Sequence, residues 1–190
     1  MARHADPAKG ERILCSAIEV FLEKGYRDAT VAEIAGRAGL VASNAYIYYK
    51  DKDDLLLAAV RRMMAEHSAR FDALARECAS EDARAFVDRC FGELAKIRRR
   101  ILFMMSCAIT PGTRELFADF DFDYSDVFAP YVGDWPEEAA ARATRALMAL
   151  SDSFFLVGDM ESVKEAAVSV LENMGAARDR AYPFMVTPLP

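Results

Sequence analysis

The stretch TVAEIAGRAGLVASNAYIYY, residues 30–49, contains two short helical patterns separated by a glycine. At its start, Thr30 and Glu33 have the spacing of a capping box, in which a hydroxyl caps a helix and a carboxylate reaches back. Gly39 is expected to end this helix, because glycine readily adopts the left-handed backbone of a sharp turn. A second short helix is predicted over residues 42–49. Two short helices joined by such a turn form a helix-turn-helix unit.

Helical signals also dominate the rest of the chain. Asp6 followed by Pro7 is typical of a helix start, and Gly25 is expected to end that first helix. The acidic residues from Asp51 onward predict a long helix to about residue 77, followed by helices over 80–96 and 98–109. A short helix is predicted within 117–131, then helices over 134–158 and 162–175, the last opened by a second capping box. The predicted fold is therefore all-α, with about nine helices.

Two domains are predicted, over residues 1–51 and 52–190, and the charges are unevenly distributed along the chain. The net charge is −6, but residues 1–52 carry eight basic and seven acidic side chains, and the remaining 138 carry sixteen basic and twenty-three acidic. DNA binding depends on the local field of the docking surface and not on the total charge. A predominantly acidic remainder favours docking on DNA through the N-terminal end alone.

The segment ERILCSAIEVFLEKGYRDATVAEIAGRAGLVASNAYIYYKDKDDLLL, residues 11–57, resembles the N-terminal signature of the TetR family of transcriptional regulators. The matching positions are Ile13, Leu14, Phe21, Gly25, Tyr26, Thr30, Val31, Ile34, Ala35, Ala38, Gly39, Tyr46, Tyr49, Lys50, Lys52, Leu55 and Leu56. The resemblance implies a helix-turn-helix domain followed by a helical domain that binds a ligand and dimerises. The sequence departs from the family at residues 41–45, where Val41 replaces a capping serine. The second helix is therefore expected to start at Ser43 or to depend on backbone geometry.

Seven residues are predicted to contact DNA: Thr30, Ser43, Asn44, Tyr46, Tyr48, Lys50 and Lys52. The amide of Asn44 can pair bidentately with an adenine edge, and the hydroxyl of Ser43 can reach a base or a phosphate. The two tyrosines offer hydroxyls to phosphates and the two lysines add positive charge. Thr30 lies at a helix start, where backbone N–H groups can face a phosphate. Tyr49 is predicted to pack in the core.

Aromatic and methionine side chains concentrate in residues 86–135, which is typical of the lining of an apolar ligand pocket. Six residues are the candidates for ligand contact: Phe86, Phe103, Met104, Cys107, Phe120 and Phe154. Plain core packing is the alternative for each of them. The resemblance places Phe103, Met104 and Cys107 on the helix that couples ligand to the DNA-binding domain in the family.

The last two predicted helices carry small and apolar residues at helical spacing, which favours a four-helix dimer interface or an internal core. The expected function is a DNA-binding regulator, specifically a homodimeric repressor that leaves an inverted-repeat operator when a small apolar or aromatic ligand binds. A helical protein–protein adaptor and a ligand-independent DNA-binding protein are the alternatives.

The sequence gives no sign of an enzyme, because it lacks a phosphate-binding glycine loop, a nucleophile elbow and a zinc-protease motif. No cofactor or metal site is expected, since the four cysteines and two histidines are scattered along the chain. Residues 1–10 lack the apolar centre of a signal peptide, and no apolar run approaches the roughly 18 residues of a membrane span. The protein is therefore expected to be cytoplasmic.

Overall fold

The computed structural model of the protein describes residues 6–78, 82–117, 128, 132, 135–157 and 159–176. Across these residues the fold is all-α, as predicted, with seven α-helices and one 3-10 helix. The α-helices are α1 (Pro7–Asp28), α2 (Val31–Arg37), α3 (Ala42–Ala45), α4 (Lys52–Cys78), α5 (Ala83–Ile109), α6 (Glu137–Val157) and α7 (Met160–Ala176), and the 3-10 helix covers Arg114–Phe117.

The start of α1 follows the prediction, since the Asp6 carboxylate accepts a hydrogen bond from the Ala8 N–H at 3.0 Å. Its end differs. Gly25 has φ 79° and ψ 169°, so it interrupts the helical path there, and a further helical turn continues to Asp28. Glycine tolerates this positive φ, which a side chain at the same position would strain.

Two further predictions about helix boundaries were wrong. The predicted helices over 80–96 and 98–109 form the single helix α5, because no glycine or proline interrupts the chain near residue 97. The last helix is capped by Asp159, which accepts from the Ser162 N–H at 3.3 Å, and not by Ser162. The Glu165 carboxylate of the predicted capping box instead binds Arg84 at 2.7 Å. The short helix predicted within 117–131 lies almost entirely outside the described residues.

The chain forms two compact units. The first consists of Met1–His67 and Ile97–Phe122, and the second of Ser68–Lys96 and Asp123–Pro190. Both α4 and α5 therefore contribute residues to each unit. The sequence predicts a boundary at residue 51 between a DNA-binding domain and a ligand-binding and dimerisation domain, and this boundary stays a prediction.

The core of the first unit holds the helix-turn-helix together. Side chains from α1, α2, α3, α4 and the second half of α5 are fully or almost fully buried there: Ile13, Ala17, Phe21, Ile34, Ala35, Ala45, Leu55, Leu56, Met63, Met104 and Cys107. Burying a large aliphatic or aromatic side chain contributes about 1.5–3 kcal/mol. The short helices α2 and α3, too short to be stable alone, are thus fixed by tertiary packing.

The core of the second unit joins α6 and α7 to the first half of α5. Phe154 on α6 packs edge-to-face against Phe91, with the ring centroids 6.1 Å apart. Leu147 and Ala167 are fully buried. The mostly buried Lys164 side chain of α7 pairs with Asp88 of α5 at 2.8 Å. None of the described helices is long and apolar enough to cross a membrane.

Candidate nucleic-acid interface and effector pocket

The turn between α2 and α3 fixes the position of the recognition segment, which we define as residues 41–49. Gly39 has φ 71°. The Leu40 N–H donates to the Ala35 carbonyl at 2.8 Å, and the Gly39 N–H donates to the Gly36 carbonyl at 3.0 Å. This pair of hydrogen bonds is a Schellman motif, which satisfies carbonyls that the helix end leaves free. The turn thus depends on backbone geometry that glycine supplies.

The recognition segment begins without a side-chain cap, as the sequence predicted. Val41 occupies the capping position with φ −93° and ψ 155°, and no side-chain hydrogen bond caps α3. The α-helix ends at Ala45, earlier than predicted, but hydrogen-bonded turns continue through the Tyr48 and Tyr49 N–H groups, each 3.0 Å from the Ala45 carbonyl. Ala45 is buried, Ser43 is exposed and Asn44 is half-buried.

The three tyrosines of the segment have different environments. Tyr46 is 56% exposed. The ring of Tyr48 lies so close to Gly10 of α1 that a Cβ there would be 2.9 Å from its Cδ1 atom. Tyr49 packs against the core, as predicted, and its hydroxyl donates to the Gly10 carbonyl at 3.3 Å. Gly10 therefore seats the end of the recognition segment on α1, a role that no sequence signal indicated.

The two lysines predicted to contact phosphates also differ. The Lys50 side chain is 88% exposed, with its ammonium 4.0 Å from the Asp51 carboxylate. The Lys52 ammonium donates to three carbonyls at the end of α1, those of Tyr26 at 2.9 Å, Ala29 at 3.0 Å and Arg27 at 3.3 Å. It also lies 4.3 Å from the centroid of the Tyr26 ring. In this structure Lys52 holds α4 to α1.

Tyr26 contributes to the same junction, because its hydroxyl donates a hydrogen bond to the Asp53 carboxylate. Burial and that carboxylate raise the pKa of Tyr26 well above its usual range, so the hydroxyl stays protonated as a donor. The α4 start itself is capped by Asp51, which accepts from the Asp54 N–H at 2.8 Å. The cap was predictable from the sequence, whereas the Lys52–Tyr26–Asp53 contact was not.

Other charges of the first unit are paired with one another. Arg37 makes a two-pronged ion pair with Glu23 at 2.6 and 2.7 Å, which holds the pKa of that carboxyl below its usual range. Lys24 binds Glu33 at 2.6 Å. Thr30 is exposed, and its hydroxyl accepts from the Glu33 N–H at 3.2 Å, as the capping box predicted.

Two of the predicted ligand residues line a cavity of about 360 Å³ in the first unit. Phe103 and Cys107 of α5 form one wall, and the end of α1, Lys52 and the turn after α5 form the others; the full lining is Lys24, Gly25, Tyr26, Arg27, Lys52, Phe103, Ser106, Cys107, Thr110, Pro111, Gly112 and Thr113. The Phe103 ring stacks on Phe21 at 6.2 Å. Burial raises the pKa of the Cys107 thiol to about 11, so the sulfur behaves as an apolar group.

The other predicted ligand residues lie elsewhere. Met104 is buried in the core of the first unit. Phe86 and Phe154 belong to the second unit, where both are 2% exposed. Phe120 lies outside the described residues. The structure thus brings together Phe103 and Cys107, with α1 residues that the sequence did not suggest for this role.

Comparison with known proteins agrees with this geometry. Residues 13–59 match the family model described as "Bacterial regulatory proteins, tetR family". The transcriptional regulator BetI of Stenotrophomonas maltophilia is 29% identical over 163 residues, covering 82% of this chain and 83% of that protein. A transcriptional regulator from Aquifex aeolicus has a similar fold, with a TM-score of 0.62, 19% identity, and coverage of 87% of this chain and 99% of the other.

A third similar protein is SmeT, the repressor of the Stenotrophomonas maltophilia multidrug efflux pump SmeDEF. Its structure has a TM-score of 0.54 at 21% identity, covering 95% of this chain and 96% of that chain. SmeT has also been solved as a complex with triclosan, and that structure has a TM-score of 0.59 at 22% identity, covering 96% of this chain and 98% of the other.

In this helix-turn-helix, one side of the second helical element packs on the core and the other side is exposed to solvent. This is the arrangement of the helix-turn-helix class of DNA-binding proteins. Residues 13–59 carry the N-terminal domain of the TetR family of transcriptional regulators, and the similarity to BetI over 82% of the chain supports membership of the whole chain in that family. Members of this family bind DNA and are not enzymes.

Proposed function

We propose that the protein is a homodimeric transcriptional repressor that binds an inverted-repeat operator and is released by a small apolar or aromatic ligand. The main observation behind this proposal is the recognition segment, in which the buried Ala45 and the half-buried Tyr49 pack on the core while Ser43 and Asn44 reach solvent. A segment held in this way can enter a major groove without reorganising. Because its partner is DNA, a cytoplasmic location remains the prediction.

Each DNA contact has its own chemical role. Asn44 pairs with an adenine edge, and Ser43 binds a base or a neighbouring phosphate. The hydroxyls of Tyr46 and Tyr48 and the ammonium of Lys50 bind phosphates. Thr30 remains a proposed phosphate neighbour at the start of α2. For Lys52 we propose an indirect role, because its ammonium is already bound to three carbonyls.

The test is selection of bound duplexes from random DNA, followed by titration of the selected site at fixed salt. We expect an inverted repeat whose half-site centres are about 34–36 Å apart, one helical turn. Asn44→Ala should weaken binding by about 1–3 kcal/mol and relax the choice of base at one position of each half-site. Asp72→Ala is the control, because Asp72 is exposed on α4, outside the recognition segment and outside α6 and α7. Failure to recover any preferred sequence would reject the proposal.

The dimer interface is proposed on the exposed face of α6 and α7. Part of the apolar stripe predicted for dimerisation is internal core, since Ala143, Leu147 and Val163 are buried within the protein. On α6 a second stripe faces solvent, where Leu156 is 71% exposed and aligns with Ala149 and Ser153 at helical spacing. A large exposed leucine beside small residues favours close approach of a partner helix.

The ligand site is proposed in the cavity beside Phe103 and Cys107. The cavity lies against the end of α1 and against Lys52, the residue that links α4 to α1. A ligand there releases DNA if it prefers a conformation in which this link, and with it the spacing of the two recognition segments, has changed. The likeness in fold to SmeT, a repressor solved with the aromatic compound triclosan, motivates the choice of ligand class.

Tryptophan substitution tests this site. Cys107→Trp fills the cavity from its wall, and Ser106→Trp covers it from an exposed position that avoids overpacking the core. We expect apolar aromatic compounds to raise the melting temperature of the parent, and more so as the ligand concentration exceeds the dissociation constant. Both variants should lose this increase in melting temperature. Ile109→Trp is the control, because Ile109 is 77% exposed on the same helix and does not line the cavity. A ligand that stabilises all three variants as it does the parent binds elsewhere.

A further inference from the structure

The recognition segment and the turn before it carry no charge. Between Arg37 and Lys50 the sequence AGLVASNAYIYY has no acidic or basic side chain. Arginine and lysine are the side chains that most often read guanine, and aspartate and glutamate accept from cytosine. The direct readout of G·C pairs by charged groups is therefore absent from this stretch.

Two aliphatic side chains of the segment are exposed to an extent that folding does not explain. Val41 is 65% exposed and Ile47 is 58% exposed. Val41 occupies the capping position of α3, where a serine or aspartate would stabilise the helix by about 1 kcal/mol. Apolar side chains that remain exposed at these positions contribute little to the stability of the free protein. We therefore expect them to contact the partner in a complex.

The backbone aligns these two side chains with Asn44. The Asn44 N–H donates to the Val41 carbonyl at 2.9 Å, and the Ile47 N–H donates to the Asn44 carbonyl at 3.3 Å. In turns with this three-residue hydrogen-bond spacing, side chains three apart lie on the same side. We call Val41, Asn44 and Ile47, which are three residues apart along this turn, the stripe; its first member, Val41, caps α3 with an extended backbone (φ −93°, ψ 155°), and the amide lies between the two aliphatic residues in the chain.

The stripe has the length of a short run of base pairs. Six residues of helical or 3-10 backbone rise about 9–12 Å, and successive base pairs are about 3.4 Å apart. The apolar group that the major groove presents is the C5-methyl of thymine, and the edge that suits an asparagine amide is adenine. Both belong to A·T pairs.

We propose that Val41 and Ile47 read thymine methyl groups on either side of the base contacted by Asn44, so that each operator half-site contains an A·T-rich core of about three base pairs. This inference rests on the proposed DNA-binding function and specifies the sequence that the site prefers. It assigns base selectivity to two residues that have no hydrogen-bonding side chain.

The experiment replaces thymine by uracil, one position at a time, in the operator obtained by selection. Uracil lacks the methyl group and keeps the same hydrogen-bonding edge, so a loss of affinity reports the methyl contact alone. We expect about a fourfold loss at one or two positions of each half-site, since burying one methyl-sized group is worth about 0.8 kcal/mol. The same duplexes are then titrated with Val41→Ala and Ile47→Ala.

Each alanine variant should lose its sensitivity to uracil at one position and keep it at the other. Val41→Thr adds a second readout, because threonine keeps the shape but can cap α3, and we expect a higher melting temperature together with weaker discrimination against uracil. Ile109→Ala, which removes an exposed isoleucine elsewhere on the first unit (77% exposed, against 58% for Ile47), should leave every titration unchanged.

The outcomes separate this inference from the function on which it rests. If no duplex is selected, the DNA-binding proposal itself fails. If a specific duplex is selected but uracil substitution changes affinity nowhere, DNA binding stands and the methyl readout is wrong. A half-site core made of G·C pairs, or uracil sensitivity that persists in both alanine variants, overturns it equally.

Discussion

Lys50 and Lys52 are two residues apart, yet the structure predicts that removing their charges has opposite consequences. Methionine is the substitution of choice, because it keeps most of the length and the apolar stem while removing the ammonium. Lys52→Met breaks three hydrogen bonds to the carbonyls that end α1, two of them of ordinary length at 2.9 and 3.0 Å. Lys50→Met removes a side chain that is 88% exposed.

The magnitudes follow from these environments. A hydrogen bond from a charged group contributes about 1.5–3 kcal/mol, and the three bonds of Lys52 share one partly exposed ammonium, so a total loss of about 2 kcal/mol is expected. For a chain of this size that lowers the melting temperature by about 4–8 °C. Lys50→Met should change stability by less than about 0.5 kcal/mol.

DNA binding should show the reverse order. Each phosphate contact contributes about 0.9 to the slope of log affinity against log salt, so a dimer that loses Lys50 twice should lose about 1.8 from that slope. Between 50 and 200 mM salt this is about a tenfold difference in how far affinity falls. Lys52→Met should keep the parent slope at temperatures well below its melting point.

Thermal unfolding and salt titration of the two variants, with the parent beside them, measure both quantities on the same samples. A Lys52→Met protein with the parent's melting temperature and a reduced salt slope would refute this reasoning. It would mean that the ammonium leaves the α1 carbonyls to bind a phosphate, as the sequence alone had suggested.

Three further predictions concern α1, the middle of α4 and the proposed dimer face. Gly10→Ala should weaken DNA binding more than it changes stability, because its Cβ displaces the Tyr48 ring while alanine favours the helix; titration of the selected operator beside thermal unfolding checks this. His67 is buried, and burial lowers its pKa to about 4. Because the unfolded chain takes up a proton at His67 near pH 6.5, the free energy of unfolding should fall between about pH 6.5 and pH 4. His67→Phe should remove that part of the pH dependence in denaturant titrations. Leu156→Glu should shift the protein to a monomer in sedimentation experiments, whereas Ile109→Glu, at a similarly exposed isoleucine, should leave the oligomeric state of the parent.

Local signals were sufficient where the structure depends on neighbouring residues. Asp6, Thr30 and Gly39 act within three or four positions of themselves, and each caps or ends a helix as the sequence predicted. The start of the last helix was wrong because two adequate capping signals compete there. Asp159 and Ser162 can both begin a helix, and the earlier residue does so, because its carboxylate reaches the Ser162 N–H.

The candidate sites were predictable only in part, because side chains distant in sequence form them. The sequence places Lys52 near the DNA-binding segment but cannot show that its ammonium meets carbonyls twenty-three to twenty-six residues earlier. Phe103 and Cys107 were chosen for their chemistry, and the cavity also needs the end of α1, where Gly25 breaks the helical path. The periodicity of apolar residues predicts each helix separately, but it does not predict which helices contact one another around the cavity.

The recognition segment contains some residues that pack on the core and others that face solvent. Ala45 and Tyr49 are joined to the core, whereas Val41, Ser43 and Ile47 are exposed. Substitutions in the exposed set can therefore change which operator is bound at little cost to folding. In evolutionary terms, a duplicated copy of this gene can acquire a new set of target promoters through substitutions at a few exposed positions, while the packed core stays the same.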